Sequence, residues 1–353
     1  MARVIVGMSG GVDSSVAAYL LKAAGHEVIG VTLKNWETEE GNDSRIQDIN
    51  DAKKIAEALG IQHIVLECAP DFRERVIQPF IKDYLSGLTP SPCTGCNRCL
   101  KWAKMLDTAK TMQAEYVATG HYAKVIRKEN GRYTVQKADC EGKDQAYMLY
   151  RLSQEQLKAT LMPLGKLSKD EVRRIAAEVG LPVAQKRDSQ ELCFVADGSY
   201  AEYIQEHTSL PVPGEGDFVD ENGKVLGKHR GIIHYTVGQR KNLGLAMGHP
   251  VYVKEIRAGK NEVVIADEEA LYQSEITCRD LNFMSIPDLP EGEELRAFVK
   301  IRYHHNGQYA RITRTGADQL RLVFDEPVRA AAPGQSAVFY DADDCVIGGG
   351  VIE

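Results

Sequence analysis

The first 25 residues of the chain combine an apolar run, a glycine-rich turn and an amphipathic segment. Residues 3–8 are rich in β-branched side chains and predict a strand, whereas residues 16–25 have the apolar spacing and closing glycine of a helix. Between them lies Ser-Gly-Gly-Val-Asp-Ser-Ser, residues 9–15. Glycines let a backbone approach an anion closely, and the first N–H groups of a helix have no intrahelical partner. This order of elements therefore predicts a phosphate-binding site.

The sequence of the turn discriminates between kinds of phosphate loop. It lacks the Gly-Lys-Ser/Thr of a Walker loop, and its glycines are not spaced as G-x-G-x-x-G. The Ser-Gly-Gly-x-Asp-Ser pattern resembles the PP-loop of the ATP pyrophosphatases, which cleave ATP between its α and β phosphates. In that interpretation Ser9 and Ser14 offer hydroxyls to phosphate oxygens, and Asp13 holds Mg²⁺ against them. The alternative is a glycine turn in which Asp13 only caps the helix.

Length and composition indicate a globular protein of several domains. A chain of 353 residues predicts two or three domains, and 43% hydrophobic with 26% charged residues is ordinary for a soluble protein. No apolar run approaches the ~20 residues of a membrane helix, and the N-terminus leads directly into a strand, so we expect a cytoplasmic protein with no membrane partner. Eight cysteines without a secretory signal indicate a reducing compartment, where cysteines are more often reactive or buried than disulfide-bonded.

The distribution of charge matters more than its total. A net charge of −7 argues against a generally basic nucleic-acid-binding protein, but it leaves room for a local basic surface. Residues 222–254 and 295–316 each contain several cations and no acidic residue. Taken alone, each stretch is best explained as a solvated strand face. The cations are Lys224, Lys228, Arg230, Arg240, Lys241 and Lys254 in the first stretch, and Arg296, Lys300, Arg302, Arg311 and Arg314 in the second.

Strand and helix patterns alternate through residues 1–120. This alternation predicts a parallel sheet with helices on both faces, and ligands of such sheets bind beyond the carboxyl ends of the strands. Leu33, at the end of a predicted strand, is a candidate for an adenine pocket, although most apolar strand ends are simply core. The predicted strands are 3–8, 26–33, 62–66 and 116–120, and the predicted helices are 16–25, 46–59 and 97–112.

The remainder of the chain changes character near residue 205. Before that point, residues 122–137 predict a hairpin that turns at Asn130-Gly131, and residues 168–180 predict a helix with a capping box. The prolines and glycines of residues 210–216 predict a linker. Short β-like runs separated by glycine turns then continue to the end, and they predict a small β domain followed by a barrel or a sandwich.

Two stretches contain cysteines that are candidates for chemistry: a cluster in residues 89–99 and a single cysteine in residues 187–194. In residues 89–99 the prolines predict an extended segment followed by a helix from Asn97, which would place Cys96 at a helix N-terminus, where the dipole lowers the pKa of a thiol. Cys193 lies in a polar loop, residues 187–194. One cysteine cluster is too little for a zinc ribbon, but Cys93, Cys96 and Cys193 suit an iron–sulfur cluster or a thiol pair for sulfur chemistry. The other cysteines, assigned to packing, are Cys68, Cys99, Cys140, Cys278 and Cys345.

Together these motifs resemble the bacterial tRNA-specific 2-thiouridylases over most of the chain. The PP-loop alone would fit several synthetases, whereas the PP-loop and both loop cysteines are specific in combination. The resemblance implies a Rossmann-like α/β PP-loop domain of the adenine nucleotide alpha hydrolase type, then a small β-rich central domain and a C-terminal β-barrel. We place these domains at 1–205, 206–272 and 273–353. The matching segments are 7–16, 34–36, 89–97, 118–122, 143–145, 188–194, 231–244 and 302–303.

The resemblance also implies a reaction, which is the ATP-dependent 2-thiolation of the wobble uridine in the tRNAs for Lys, Glu and Gln. The C2 oxygen would be adenylated with release of pyrophosphate and then replaced by sulfur from a cysteine persulfide. A sulfur donor such as a cysteine desulfurase or a relay protein would load that persulfide. Two alternatives remain open: hydrosulfide held on a 4Fe-4S cluster by Cys93, Cys96 and Cys193, and a PP-loop synthetase that adenylates a small molecule.

Site residues follow from the family motifs, position by position. Cys96 is then the nucleophile, Cys193 carries the persulfide and forms a disulfide with Cys96 during turnover, and Asp13 holds Mg²⁺ through the ATP phosphates. The expected ATP-binding residues are Gly7, Met8, Ser9, Gly10, Gly11, Val12, Asp13, Ser14, Leu33 and Gly120. The expected tRNA-binding residues are Ser91, Pro92 and Cys93, which face the target base, and His121, Lys143, Asp144, Gln145, Arg302, Tyr303 and Gln335.

Three of these positions differ from the usual family residue. Leu33 stands where methionine is common, and Ser91 stands where asparagine is usual. Cys93 replaces an aspartate found in many members, so that its thiolate would be available as a cluster ligand.

Overall fold

A computed structural model of the chain describes residues 1–36, 44–186, 192–195 and 199–353. Most of the polar loop before Cys193, residues 187–191, therefore lies outside the described residues. The chain divides into two compact units, and the chain crosses between them more than once. The first unit comprises Met1–Val76, Cys93–Ala196 and Asp343–Ile347, and the second comprises Ile77–Pro92, Asp197–Ala342 and Gly348–Glu353.

The first unit is built on a parallel sheet, as the alternating pattern predicts. Its strands lie in the order β3-β2-β1-β4-β7, and every neighbouring pair is parallel. The central strand β1 is flanked on both sides, since Val4 pairs with Val28 of β2 and with Tyr116 of β4. The strands are β1 (Arg3–Gly7), β2 (Glu27–Lys34), β3 (Gln62–Glu67), β4 (Tyr116–Ala118) and β7 (Thr160–Leu161).

The helices predicted at 16–25, 46–59 and 168–180 are present with small shifts of their ends, and the helix predicted from residue 97 begins earlier, as described below. Wider π-helical turns extend two of them, at Arg73–Ile77 and Asn97–Lys101. The capping box predicted at Ser168 and Glu171 is present. The α-helices of the described residues are α1 (Val12–Ala23), α2 (Ser44–Leu59), α3 (Ala69–Phe72), α4 (Gln78–Leu85), α5 (Pro92–Cys96), α6 (Trp102–Thr111), α7 (Gln154–Lys158), α8 (Lys169–Glu178) and α9 (Tyr200–His207).

Helices cover both faces of the parallel sheet. Val4 and Val6 of β1 share one apolar core with Val16 of α1 and Val172 of α8. Side chains alternate along a strand, so Gly7 points to the opposite face from Val6. There the sulfur of Met105 in α6 lies 3.0 Å from the position that a Cβ on Gly7 would take. Helices therefore pack against both faces of β1, and this packing fixes the position of its carboxyl end.

The predicted hairpin at 122–137 is also present in the first unit. Strands β5 (Ala123–Arg127) and β6 (Tyr133–Lys137) pair antiparallel, and Gly131 has a positive φ of 82° in the turn. Residues 343–347 lie against it, with Lys137 and Asp344 forming an ion pair at 2.5 Å.

The second unit contains the β-rich part of the chain. Four strands lie in the order β10-β11-β8-β9, and six close into a barrel in the order β12-β15-β14-β13-β16-β17. Alternate barrel residues such as Ala310 and Ile312 are fully buried, which is the pattern of strands with one face in a core. The barrel expectation is confirmed. The strands are β8 (Gly216–Val219), β9 (Val225–His229), β10 (Tyr252–Arg257), β11 (Glu262–Ala266), β12 (Tyr272–Phe283), β13 (Glu294–Lys300), β14 (Gln308–Gly316), β15 (Gln319–Arg329), β16 (Ser336–Tyr340) and β17 (Val346–Ile352).

Helices of the second unit pack through aromatic side chains. The rings of Tyr84 in α4 and Tyr200 in α9 stack with centroids 4.6 Å apart. Throughout the part of the chain that the structure describes, no helix is long and apolar enough to cross a membrane.

Candidate active site

The glycine turn connects β1 directly to α1. Gly10 has a positive φ of 70°, and a Cβ at this position would lie 2.2 Å from the carbonyl oxygen of Asp48. Gly11 is the N-cap of α1 and has extended backbone, with no side-chain cap. Only glycine is compatible with the conformation and close approach at Gly10. The turn therefore exposes backbone, not side chains, at the start of a helix.

The serine hydroxyls fold the turn onto itself. Ser14 Oγ donates to the Gly11 carbonyl at 3.2 Å and accepts from the Ser9 backbone N–H at 3.2 Å. The hydroxyls of Ser9 and Ser14 are 3.3 Å apart. Ser14 is buried and Ser9 is exposed, whereas the side chains of Met8 and Val12 are buried. A ligand at this turn would thus meet the Ser9 hydroxyl and backbone groups.

Asp13 faces two donors from distant parts of the first unit. Its Oδ1 accepts from the Tyr122 hydroxyl at 2.8 Å and from Lys169 Nζ at 2.7 Å. The alternative in which Asp13 caps α1 is wrong, because Gly11 occupies the cap position. A cation, the ammonium of Lys169, already neutralises the carboxylate to which the sequence assigns Mg²⁺.

Gly120 and Leu33 lie at the same edge of the sheet as the turn. A Cβ on Gly120 would lie 2.6 Å from the backbone nitrogen of Ser14, so this glycine allows the loop after β4 to pack directly on the start of α1. Leu33 is half-buried near the carboxyl end of β2. Two residues further, Asn35 Oδ1 is buried and has no hydrogen-bond partner among the described residues. The structure brings the predicted nucleotide-binding residues together.

Lys186 contacts the turn, although no motif in the sequence predicts this contact. Its Nζ donates to the Gly10 carbonyl at 3.1 Å and to carboxylate oxygens of Asp48 and Asp51, each at 2.7 Å. Burial opposes its charge, but the two carboxylates outweigh that effect and raise the pKa of Lys186. Because its partners are more than a hundred positions away, no local pattern points to this residue.

The cysteine-bearing segment is helical from Pro92 onward. Helix α5, the π-helical turn Asn97–Lys101 and α6 follow one another without a break. The predicted extended segment up to Cys96 is therefore wrong. Proline is well accommodated in the first turn of a helix, because the N–H that it lacks would have no partner there. Cys96 has helical backbone angles, φ −55° and ψ −44°, and is not at the N-terminus of the helical stretch.

The environment of Cys96 opposes ionisation. Burial raises the pKa of its thiol to about 12, the charges of Cys193, Cys93 and Cys99 act in the same direction, and only Lys101 favours the thiolate. The expectation of a lowered pKa is wrong, because the thiol lies inside the protein. Cys96 is therefore a protonated thiol at neutral pH.

Cys96 and Cys193 lie near each other in the first unit, since the charge of Cys193 contributes to the raised pKa of Cys96. They differ in access, because Cys96 is buried and Cys193 is exposed. Next to Cys193, the ring of Phe194 packs edge-on against Phe72 with centroids 5.7 Å apart. Phe72 is the last residue of α3, the short helix that follows β3, so the segment of Cys193 lies beside that helix.

Cys93 is exposed, and the protein atoms around it also raise the pKa of its thiol. All eight cysteines are free thiols in this structure. Across residues 1–36, 44–186, 192–195 and 199–353, no three His, Cys, Asp or Glu side chains are arranged to hold a metal ion together. Cys93, Cys96 and Cys193 thus do not form a three-ligand site in this arrangement.

Family models cover nearly the whole chain. The tRNA methyl transferase HUP domain matches residues 2–197, the tRNA methyl transferase PRC-barrel domain matches 201–267, and the aminomethyltransferase beta-barrel domain matches 273–352. A protein from Acetivibrio thermocellus named tRNA-specific 2-thiouridylase MnmA is 49% identical, over 99% of both chains. Its namesake from Lachnoclostridium phytofermentans is 46% identical, over 100% of this chain and 99% of its own.

The chain belongs to the tRNA-specific 2-thiouridylase family. This is a family of sulfurtransferases that act on tRNA uridine. Among solved structures, the U34-tRNA thiolase NcsA from Methanococcus maripaludis with its [4Fe-4S] cluster is 20% identical, with a TM-score of 0.35 over 58% of this chain and 64% of its own. That likeness is too limited to bear on the function of this chain.

The expected tRNA-binding residues of the first unit are largely engaged within the protein. His121 Nδ1 lies 2.8 Å from the Thr119 hydroxyl, and burial together with Lys101 lowers the pKa of His121 to about 3, so its ring is neutral. Asp144 is buried and accepts from two backbone N–H groups, and Gln145 Oε1 accepts from the backbone of Tyr122. Lys143 is half-buried. A tRNA contact by these family positions stays a prediction.

In the second unit, two family positions bind backbone carbonyls. Arg302 Nη1 donates to the carbonyl of Arg329 at 2.9 Å. Gln335 Nε2 donates to the carbonyls of Thr89 and Pro90, at 2.9 and 3.3 Å. The ring of Tyr303 lies 6.0 Å from Lys300 Nζ. Ser91 and Pro92 belong to the same unit.

Acidic residues outside the two basic stretches neutralise part of their charge. Lys228 pairs with Asp217 at 2.7 Å, and Arg296 pairs with Asp325 at 2.6 Å. Lys254 and Arg314 also form ion pairs, with Glu221 and Asp288. The sequence pattern therefore overstates the basic character of both surfaces.

Proposed function

We propose that this chain uses ATP to thiolate C2 of the wobble uridine in the tRNAs for Lys, Glu and Gln. The observation that carries the proposal is the link between the two halves of the chemistry. Gly120 packs on the backbone of Ser14 in the turn, and the next residue, His121, lies against Trp102 with ring centroids 5.6 Å apart. Trp102 begins α6, which continues the helical stretch of Cys96. This chain of contacts supports the proposal that the nucleotide loop and the helical stretch of Cys96 serve one reaction.

The nucleotide would lie at the turn with its phosphates on backbone N–H groups. The start of α1 supplies donors without intrahelical partners, and Gly10 and Gly11 place no side chain over them. The unpaired Oδ1 of Asn35 fits the exocyclic amino group of an adenine, which is a donor in need of an acceptor. Asp13 would hold Mg²⁺, which neutralises phosphate charge as pyrophosphate leaves. For that, the Asp13 carboxylate must be shared with or released by Lys169.

Adenylation makes the C2 oxygen of uridine a good leaving group. This oxygen attacks the α-phosphorus of ATP, the bond to the β-phosphate oxygen breaks, and pyrophosphate departs. The target base must leave the anticodon stack first, at a cost of roughly a few kcal/mol. Donors at the start of α1 stabilise the charge that develops on the phosphates.

The difference in access between the two thiols supports a persulfide route. Cys193 is exposed and so accessible to a protein sulfur donor, such as a cysteine desulfurase or a relay protein in the cytoplasm, whereas Cys96 is buried. For the next step the Cys96 thiol, which is protonated in the free protein, must lose its proton. The resulting thiolate attacks the Sγ of the Cys193 persulfide, the bond from Sγ to the outer sulfur breaks, and a disulfide and hydrosulfide are formed. Hydrosulfide attacks C2 and AMP leaves, and a thiol reductant restores both cysteines.

The alternative route, hydrosulfide on a 4Fe-4S cluster, requires three ligands that converge. The residues that would supply these ligands are Cys93, Cys96 and Cys193. We favour the persulfide because of the difference in access between Cys193 and Cys96. We also propose the domain boundaries expected from the sequence, with the catalytic domain ending near 205 and the barrel beginning near 273.

One experiment tests both the reaction and its sulfur step. The protein is purified anaerobically, its iron is assayed, and thiolation of tRNA is measured in vitro for Cys93→Ser, Cys96→Ser and Cys193→Ser. Cys140→Ser, at a cysteine outside this group, is the matched control. We expect no stoichiometric iron, loss of thiolation in Cys96→Ser and Cys193→Ser, and continued pyrophosphate release with ATP and tRNA in both.

Two outcomes would contradict these proposals separately. About four iron atoms per chain, lost in each of the three cysteine variants, would replace the persulfide by the cluster. Wild-type protein that releases pyrophosphate without thiolating tRNA, and a Cys193→Ser protein with full turnover, would identify a synthetase for another substrate.

A further inference from the structure

We propose that Gln156 is a positioning residue that sets the orientation of Cys96 by stabilising the π-helical turn that follows it. This turn, Asn97–Lys101, lies between α5, which ends at Cys96, and α6, which begins at Trp102. Such turns are rare in proteins and occur frequently at functional sites. The inference rests on the proposed function for its catalytic consequence, whereas the contacts that carry it all lie within the first unit.

The π-helical turn displaces a backbone hydrogen bond. In an α-helix the N–H of Trp102 would donate to the carbonyl of Arg98, four positions earlier. Here it donates to the carbonyl of Asn97, five positions earlier. The Arg98 carbonyl therefore lacks its α-helical donor, and Gln156 Nε2 donates to it at 2.8 Å instead. The side chain of Gln156 thus takes the place of the main-chain donor that the turn removes.

Gln156 is itself held in place by two further hydrogen bonds. Its Oε1 accepts from the N–H of Ser153 at 2.9 Å, in the capping box that begins α7. Its backbone carbonyl accepts from the Thr160 hydroxyl at 2.6 Å, and that hydroxyl accepts from the indole N–H of Trp102 at 2.7 Å. Gln156 therefore binds the helical stretch on both sides of the displaced hydrogen bond, directly at Arg98 and through Thr160 at Trp102.

Two other side-chain hydrogen bonds tie the π-helical turn to distant segments. The side chain of Asn97 is buried, and its Nδ2 donates to the carbonyl of Met148 at 2.9 Å. Arg75 Nη1 donates to the carbonyl of Cys99 at 3.1 Å. Because these partners are far from the turn in sequence, its conformation depends on the tertiary structure.

The conformation of the turn determines the direction in which Cys96 points. A π-helical hydrogen bond spans one residue more than an α-helical one, and one residue of an α-helix corresponds to roughly 100° of rotation and about 1.5 Å of rise. If the N–H of Trp102 returned to the Arg98 carbonyl, the residues before the turn would rotate by about this amount relative to α6. Cys96 directly precedes the turn, is buried and lies near Cys193. The rotation would therefore move its thiol out of that position.

The test compares Gln156→Glu with wild type. Glutamate suits the third helical position of a capping box as well as glutamine does, so this substitution keeps the cap of α7 and removes the donor to the Arg98 carbonyl. The alkylation rates of Cys96 and of Cys68, which is buried in the same unit, are measured by mass spectrometry without ATP or tRNA. Glu202→Gln is the matched control, because it exchanges the same two residue types at the same position of the capping box of α9.

We expect alkylation of Cys96 to be about tenfold faster in Gln156→Glu, with the rate of Cys68 within about twofold of wild type, because only the helical stretch of Cys96 loses its fixed orientation. The kcat of thiolation should fall about tenfold or more, since the reacting thiol is misplaced. Single-turnover pyrophosphate release with ATP and tRNA should be unchanged, because adenylation precedes the sulfur step. Thr160→Val, which removes the hydroxyl between Gln156 and Trp102, should change these quantities in the same direction and serves if the glutamate variant does not fold.

Two results would overturn the proposal. An unchanged alkylation rate of Cys96 would show that Gln156 only caps α7, whatever happens to thiolation. Equal acceleration at Cys96 and Cys68 would show that Gln156 supports the stability of the whole unit. If wild-type protein fails to thiolate tRNA, the proposed function fails, whereas the alkylation rates still decide whether Gln156 orients Cys96.

Discussion

The glycine turn and the helical stretch that carries Cys96 both lie in the first unit, but they are determined in different ways. In the turn, residues 9–15 make most of their hydrogen bonds with one another, as between Ser14 and the Gly11 carbonyl. In the cysteine-bearing helix, the properties of Cys96 depend on burial and on Cys193, which is nearly a hundred positions away. A local motif therefore predicts the first region well and the second poorly.

The comparison also explains which errors the sequence produced. The turn pattern correctly led to strand, turn and helix, because its glycines and hydroxyls act within a few residues. The pattern Pro-x-Pro before Cys93 predicts an extended segment, yet the second proline starts a helix. The pKa expected for Cys96 had the wrong sign, since a dipole argument ignores how deeply the thiol is buried.

The largest expected effect on activity comes from Gly120→Ala. Gly120 is distant in sequence from the glycine turn but packs against its backbone. The new Cβ would lie 2.6 Å from the nitrogen of Ser14, so the loop after β4 or the start of α1 must shift. We expect pyrophosphate release to fall by about 100-fold or more, because a misplacement of about 1 Å costs that much in rate.

The matched control is Gly259→Ala, since a Cβ there meets no heavy atom within 4 Å. Near-wild-type turnover of Gly120→Ala, measured by pyrophosphate release with saturating ATP and tRNA, would mean that the turn works without this contact.

A second prediction concerns the pH dependence of Cys96. Because its folded pKa is raised to about 12, the thiolate fraction should increase about tenfold per pH unit from pH 7 to 10. The alkylation rate of the Cys96 peptide, followed by mass spectrometry, should show this slope without a plateau. Lys101→Met should lower the rate at each pH, since this cation favours the thiolate.

An unhindered cysteine peptide, with a pKa near 8.5, supplies the reference curve. If the alkylation rate of Cys96 reached a plateau below pH 8, the pKa of Cys96 would be lowered, as the sequence alone predicts. The cysteine-bearing helix would then be as predictable from local sequence as the glycine turn.

A third prediction concerns Lys186, a cation from a distant part of the chain that contacts the turn. Lys186→Met leaves Asp48 and Asp51 without their partner and removes a donor from the Gly10 carbonyl. For a partly exposed group we expect a loss of about 1–2 kcal/mol in the free energy of unfolding at pH 7.

The pH dependence of that loss has a defined sign. Burial opposes ionisation of Asp51, but hydrogen bonds from Lys186 and Gln47 leave its folded pKa below 3.8. Its contribution is therefore present above the unfolded value and is lost as the pH falls through the folded value. The difference between wild type and Lys186→Met should shrink below about pH 4 in urea unfolding experiments, and a constant difference would contradict the ion pair.

The smallest effect, on tRNA binding, is expected in the first basic stretch, residues 222–254. Acidic residues outside this stretch pair with some of its cations, so its surface is less basic than the sequence suggests. Reversal of Lys224, Lys228 and Arg230 to glutamate should weaken tRNA binding a few-fold at low salt and reduce the slope of log K against log salt by roughly 0.7–0.9 per lost phosphate contact. Lys260→Glu, at an exposed lysine outside the stretch, is the control for net charge. An unchanged slope would show that these cations do not contact phosphates.

Much of the fold could be predicted from the sequence. The parallel sheet, the hairpin at Asn130-Gly131, the capped helix after Ser168 and the β-rich end all follow from hydrophobic period and turn chemistry, which act over a few residues. The three-domain boundaries and the tRNA contacts stay predictions. The contacts of Lys169, Lys186 and Gln335 had no sequence signal, because their partners are far along the chain.

The sequence by itself determined that a glycine turn joins a buried strand to a helix, and that two cysteines of unusual context accompany it. Only the tertiary structure decided that Cys96 is buried and protonated and that Asp13 faces Lys169. The physical reason is range. Backbone preference is local, whereas burial and the pairing of charges depend on which distant segments the fold brings together.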